Sequence, residues 1–362
     1  MGSISQEDYQ NSSSPIPIVD FAEWYKATSP SEKLSVAKKL ISACQDPGFV
    51  YIINHGVSED LLSEAFSVAK KLFDLPMEDK MKAPHPDGPD IHRGYSRPGL
   101  EKVTQYMDGD ETVGEALRAV VDVKESYEIG SEECENQYNV WLPEDVYPGF
   151  REFTTKFFWH CNEAAQEILR AIAVGLELGD DEFLVKYHSG HNNQLRLLHY
   201  PPVPADDLEQ GKAARISAHT DWGSITMLFQ DGCGGLEVED KDGKFVPATP
   251  IPGACVMNVG DLLMRWSNDK LKSTLHRVTL PPSSDSYDTS SGKRMTKARY
   301  SIPYFVSPDA FARIECLPAC VDEKHPVKYE PIVQDDYRKM RAKVQYKKTD
   351  TDTGATPVAV AG

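Results

Sequence analysis

Residues 217–230 read Ser217-Ala-His219-Thr-Asp221-Trp-Gly-Ser-Ile-Thr-Met-Leu-Phe-Gln230. A break at 220–223 separates two β-prone pieces, which reads as two short strands joined by a turn. The texture continues on both sides, with β-prone pieces at 194–199, 215–219, 224–229, 235–238, 254–258, 273–280 and 298–305 separated by Pro, Gly and Asp. Regular short strands of this kind predict a sandwich or jelly roll. The stretch Pro281–Lys293, rich in Ser, Asp and Gly, reads as an inserted surface loop.

The front half has helical texture instead. Ser29 can cap a helix with Pro30 at its first position and Glu32 completing a capping box, and Asp46-Pro47-Gly48 would end it. Phe49-Val-Tyr-Ile-Ile53 is a strand that stops at Asn54-His55-Gly56. Ser58 caps an amphipathic helix over 59–73, and the longest helix is expected from Phe150 to Leu178, closed by Gly179. A last helix is expected from Asp335 to Tyr346. The polar ends, 1–15 and 349–362, read as disordered tails.

Charge narrows the partners. With 39 basic and 56 acidic side chains the net charge is −17, so the surface field repels nucleic-acid phosphates and anionic lipid. No apolar run approaches the ~18 residues of a membrane span. The chain shows no secretory signal, and its seven dispersed cysteines fit reduced thiols in a cytoplasmic protein. Cys316 and Cys320 lack a second pair to complete a zinc site.

Ten histidines are present, and His219 is separated from Asp221 by one residue, so on an extended chain both point to the same face. Alone, this pair reads as a solvated polar turn, since chance supplies many such pairs. His276, in Lys272-Ser-Thr-Leu-His276-Arg-Val-Thr-Leu280, is equally a satisfied core histidine. Arg299 and Ser301 share one strand face, with Tyr300 and Ile302 on the other. A barrel that turns Arg299 inward needs an anion for it, and the guanidinium fork fits a carboxylate. Two histidines and one aspartate with open positions are the metal-binding triad of non-haem Fe(II) oxygenases.

In order and spacing, the motifs Leu195-Arg-Leu-Leu-His-Tyr200-Pro-Pro, Ala218-His219-Thr-Asp221-Trp-Gly-Ser, Asn258-Val-Gly260-Asp261, Lys272-Ser-Thr-Leu-His276-Arg and Arg299-Tyr-Ser301 resemble the Fe(II)- and 2-oxoglutarate-dependent dioxygenases of the isopenicillin N synthase-like superfamily. Upstream, Ile16-Pro-Ile-Val-Asp20, Asn54-His55-Gly56 and Arg93-Gly94-Tyr95-Ser resemble that family's N-terminal region. The resemblance implies an α+β protein: a jelly-roll (double-stranded β-helix) core at 191–310, an N-terminal helical and strand region at 16–190, and a C-terminal extension with a helix at 311–348. It implies iron ligands His219, Asp221 and His276, a cosubstrate clamp of Arg299 and Ser301 with Tyr200 beside it, and a structural role for His55. It further implies Fe(II), 2-oxoglutarate and O2 as reactants, ascorbate as a stimulant, succinate and CO2 as products, and a specialised metabolite oxidised by a monomeric enzyme. Tyr95, Trp222, Phe229, Tyr304 and Phe305 flank these motifs and are the substrate-pocket candidates. His188 and His191, three residues apart in an expected loop, are not assigned to the metal. Two rivals remain: an oxidase of the same fold that needs no 2-oxoglutarate, and a small-molecule binding protein without turnover.

Overall fold

The computed structural model describes residues 15–88, 90–100, 121–134, 136–210, 213–281, 287–290 and 292–345. The expected tails, apart from position 15, lie outside them.

Ser29 accepts from the Glu32 backbone N–H while Glu32 reaches back to the Ser29 N–H, so the capping box forms and opens α1 (Pro30–Gln45). β1 (Ile18–Asp20) and β2 (Phe49–Ile53) flank it in the chain and pair in parallel. Ser58 caps α2 (Glu59–Phe73), whose Leu62, Ala65, Ala69 and Leu72 form one buried stripe at helical spacing. Two strands, β3 (Gly94–Ser96) and β4 (Glu125–Gly130), precede the long helix α3 (Phe150–Gly175). α3 ends before the expected Leu178: Glu177 takes φ 56°, its N–H donates to Val174 O, and the Leu178 N–H donates to Ala173 O. That is a Schellman stop, made here with Glu where Gly is usual. On α3, Phe157, Phe158, Ile168, Leu169 and Ile172 are buried, each contributing roughly 1.5–3 kcal/mol of burial.

The strands expected after 194 appear as β5 (Gln194–Tyr200), β6 (Ile216–His219), β7 (Ile225–Gln230), β8 (Leu236–Glu239), β10 (Cys255–Val259), β11 (His276–Val278) and β12 (Arg299–Val306), and a further strand that was not expected, β9 (Phe245–Pro247), follows β8. A short helix, α4 (Asp261–Trp266), leaves β10, and α5 (Gln334–Gln345) closes the described chain. The expected strand at 273–280 shrinks to three residues. The expected loop at 281–293 is partly a ribbon, since Tyr287–Asp288 pairs antiparallel with Met295–Thr296.

Eight strands form a mixed sheet in the order β1-β2-β10-β7-β12-β5-β4-β3, and four form a second in the order β9-β8-β11-β6. Side-chain alternation gives the large sheet two different faces. Leu195, Leu197, Met227, Phe229, Ile302, Tyr304 and Val306 join α1, α2 and α3 in the larger core. From the opposite face Phe49, Tyr51, Leu198, Tyr200 and Val256 meet Ile216, Leu236, Val238 and Val278 of the small sheet in a second core. The cavity lies between the sheets, bounded by Arg196, Leu198, Tyr200, Arg299 and Ser301 on one side and by His219 and His276 on the other.

Candidate active site

β6 and β11 pair antiparallel with His276 directly opposite His219, and the chain turns after β6 to bring Asp221 beside both. Asp221 Oδ1 lies 3.9 Å from His219 Nε2 and 3.7 Å from His276 Nε2. Ligand atoms of all three residues fall within 4.8 Å of one another. Each imidazole is oriented from behind: His219 Nδ1 sits 2.8 Å from Ser217 O and His276 Nδ1 3.1 Å from Thr274 O. A carbonyl accepts only a proton, so both Nδ1 atoms carry N–H and both Nε2 lone pairs face the centre. Burial, followed by the neighbouring His276 ring, presses His219 down to about 3, which keeps it neutral. Burial alone would raise the Asp221 carboxyl, but His276, His219 and donors from Thr226 Oγ1 (2.6 Å) and Asn258 Nδ2 (2.8 Å) hold it below the usual aspartate value. Both donors take Oδ2, leaving Oδ1 for the centre.

The turn carrying Asp221 is tied to the start of α4. Asp261 N–H donates to Asp221 O at 2.8 Å and Gly260 N–H to Ser224 O at 2.8 Å. A Cβ on Gly260 would stand 2.3 Å from Gly223 O and 3.2 Å from Asp221 O, so glycine is required here by proximity. Gly260→Ala should therefore cost about 1–3 kcal/mol by overpacking and lower the affinity for a divalent metal. Thermal unfolding and a Mn(II) titration measure the two effects.

At the other side of the same cavity, Arg299 on β12 is opposite Tyr200 on β5 and lies over its ring, 5.0 Å from the centroid. The guanidinium is 1% exposed; it donates to Ser301 Oγ at 3.1 Å and Gln230 Oε1 at 3.3 Å, while its Nε has no partner. A buried cation that has no carboxylate beside it among the described residues, and an orphaned donor, is costly unless an anion joins it.

Both halves of the chain match known protein families. Residues 191–308 match the 2OG-Fe(II) oxygenase superfamily, and residues 16–144 match the N-terminal region described as non-haem dioxygenase in morphine synthesis. A 2-oxoglutarate-Fe(II) type oxidoreductase, ppzD, of Metarhizium rileyi is 37% identical over 331 residues, 91% of this chain and 90% of its own length. The chain belongs to the 2OG-Fe(II) oxygenase superfamily. Another relative, the proline hydroxylase buaE of Petromyces alliaceus, is 38% identical over 83% of this chain and 90% of its own. Among solved structures, a full-length Neurospora crassa protein crystallised in complex with alpha-KG and thymine superposes with a TM-score of 0.79 at 39% identity, covering 90% of this chain and 96% of that one. The protein is thus an oxidoreductase of the 2-oxoglutarate-dependent dioxygenases, with Fe(II) as its metal.

The residues present fit these groups. Two neutral imidazoles and one carboxylate oxygen suit a divalent iron that must keep positions open, and the unmatched Arg299 suits a carboxylate cosubstrate. The expected substrate residues of this oxygenase divide. Trp222 and Phe305 line the cavity. Tyr95, Phe229 and Tyr304 are not among its lining residues. Phe229 and Tyr304 sit at the parity of the outer face, against His55 and Phe158 respectively. Tyr95 is buried on β3 with its hydroxyl bonded to Glu125. His55 lies in the core and its Nδ1 accepts from Val57 N–H, while His188 bonds Leu184 O and Ser224 Oγ. Sequence reasoning did not single out Arg196, His92, Gln137, Gln334, Tyr337 or Arg338 as site residues, yet all line the cavity of about 170 Å³. Only for Arg196 was there a signal: it shares strand parity with Tyr200.

Proposed function

We propose that this oxygenase oxidises a small molecule of specialised metabolism, holding iron through His219, Asp221 and His276 and 2-oxoglutarate through Arg299, Ser301 and Tyr200. The observation that carries the reading is the pairing, in one cavity, of two Nε2 atoms within 3.9 Å of Asp221 Oδ1 with a buried Arg299 whose hydrogen-bond partners are neutral. When bound, iron couples oxidative decarboxylation of 2-oxoglutarate to oxidation of a substrate C–H bond, as hydroxylation, desaturation or cyclisation. The chain orients the keto acid: Arg299 and Ser301 take its distal carboxylate, so its keto end faces the His–Asp–His centre. Leu198, Ile216, Leu236 and Val278 keep that path dry, which confines the oxidant to the bound substrate. The strands of the two facing sheets that lie between Gln194 and Val306 are read as the jelly roll of 191–310, and β1 to β4 extend its larger sheet, so that the segments 16–190, 191–310 and 311–348 are read as one catalytic unit. The −17 charge and the free cysteines favour a cytoplasmic monomer that binds no nucleic acid; no helix among the described residues is long and apolar enough to cross a membrane.

The C-terminal helix is the pocket's outer wall. Asp261 accepts from Tyr337 OH (2.7 Å) and Arg341 Nη1 (2.6 Å) on α5, from Ser273 Oγ (2.7 Å) ahead of His276, and from Thr220 Oγ1 (3.3 Å) beside Asp221. Ending the chain at 333 would leave this buried carboxylate without its cation, a loss of about 3–5 kcal/mol. A truncation at 333 should therefore lower both Tm and Mn(II) affinity, whereas one at 350 should leave them unchanged. The reading as a whole is tested by supplying Fe(II), 2-oxoglutarate and candidate metabolites and following succinate. Substrate oxidation without succinate would favour the 2-oxoglutarate-independent oxidase.

A further inference from the structure

At neutral pH 2-oxoglutarate is a dianion, whereas the chain that takes it up has a net charge of −17. Local charge must therefore reverse the field at the Tyr200 end of the cavity. Arg299 supplies one cation there, and a second lies over the same ring. Arg215, the residue immediately before β6, is 0% exposed, and its guanidinium is 5.8 Å from the Tyr200 centroid, against 5.0 Å for Arg299. Arg215 is not among the lining residues of the cavity, so a ligand there would meet its charge and not its side chain.

The packing of Arg215 does not call for a charge. Its Nη2 donates to Lys297 O at 2.9 Å and its Nη1 to Cys233 Sγ at 4.0 Å, while its Nε has no partner. Arg299 likewise donates to the neutral Ser301 and Gln230. Among the described residues neither guanidinium forms an ion pair with a carboxylate. The acidic groups of the neighbourhood are engaged elsewhere: Asp231 accepts from the backbone N–H of Cys233 at 2.9 Å and of Tyr300 at 2.6 Å, and Glu209 pairs with Arg294. The other titratable groups beside Arg215 are Cys233, Tyr200 and Tyr287. Burial above all pushes the Arg215 guanidinium below its ordinary value, and the like charge of Arg299 acts in the same direction. Two buried cations this close are relieved when negative charge joins them.

We infer that Arg215 is a specificity-determining residue for the cosubstrate: with Arg299 it makes the Tyr200 end doubly positive, and so selects a keto acid with a distal carboxylate over one whose tail is neutral. The inference rests on the 2-oxoglutarate assignment above. Removing a unit charge at the range set by the two ring distances should change the affinity for an anion on Arg299 roughly tenfold, at the effective permittivity of a protein interior.

The test uses the full chain without O2. Mn(II) is titrated calorimetrically, followed by 2-oxoglutarate and, in competition with it, 2-oxopentanoate, which has the same carbon chain and no distal carboxylate. Arg215→Met should weaken 2-oxoglutarate about tenfold while Mn(II) and 2-oxopentanoate stay within about threefold, so the ratio between the two keto acids falls. Arg215→Lys, which keeps the charge, should restore most of that ratio. Cys233→Asp places a carboxylate beside Arg215 Nη1 and should lower the ratio as Arg215→Met does, whereas Cys233→Ser should leave it unchanged. An unchanged ratio in folded Arg215→Met overturns the inference, and so does equal weakening of both keto acids. If Arg215→Met does not fold, an unchanged ratio in Cys233→Asp overturns it equally. Failure of Mn(II) or 2-oxoglutarate to bind the unaltered protein instead removes the reading on which the inference stands.

Discussion

His276→Ala is expected to abolish turnover and to lower metal affinity by more than the ~10–100-fold that loss of an outer partner costs. The substitution removes one of three donors and leaves His219 and Asp221 alone to hold the ion. The void is small and lies against Phe49, whose ring centroid is 5.3 Å from that of His276, so the sheet itself should persist. Calorimetric Mn(II) titration of folded protein, with circular dichroism as the control, measures the effect. Stoichiometric metal binding with unaltered affinity would remove His276 from the ligand set.

Arg299→Leu attacks the other end. The change deletes a fully buried cation whose hydrogen-bond partners, Ser301 and Gln230, are neutral, so no carboxylate among the described residues is stranded by it. What is lost is the charge-assisted hold on the cosubstrate, a few kcal/mol once desolvated, so the 2-oxoglutarate KM should rise on the order of ten- to a thousandfold. Metal affinity should stay within a small factor, because the triad is oriented by Ser217, Thr274, Thr226 and Asn258 and not by Arg299. The two variants thus separate metal binding from cosubstrate binding.

Local chemistry explains which parts of the fold were legible. The capping box of Ser29 and Glu32 and the Ser58 cap are decided within four residues, and both helices begin where these residues place them. β4 was illegible for the opposite reason. Its residues are buried throughout, including two glutamates: Glu125 is satisfied by Lys80 and His199, and Glu128 by Arg196. Buried charge with distant partners looks like surface when read locally.

The site follows the same division. His219 and Asp221 are neighbours in sequence, and His276 joined them through a family resemblance before β6 and β11 brought the rings together. Of the substrate candidates, Tyr304 and Phe229 are turned away by strand parity. Once Arg299 and Ser301 face inward on β12, Pro303 and Phe305 must follow and Tyr304 must face out, a consequence of the two-residue period that proximity to the motif obscured. The same rule on β7 turns Thr226 and Leu228 inward and Phe229 away. Arg338 and Tyr337 were out of reach, since nothing local to α5 encodes its docking on Asp261.

Iron held by the His–Asp–His centre, with 2-oxoglutarate clamped by Arg299, is tested most directly by succinate release from 2-oxoglutarate in air. The unaltered protein, His276→Ala and Arg299→Leu would be compared at saturating Fe(II). The expected result is Fe(II)-dependent succinate from the unaltered protein, none above background from His276→Ala, and release from Arg299→Leu that recovers only at much higher 2-oxoglutarate. Equal succinate from all three proteins, or substrate oxidation with no 2-oxoglutarate consumed, would contradict it.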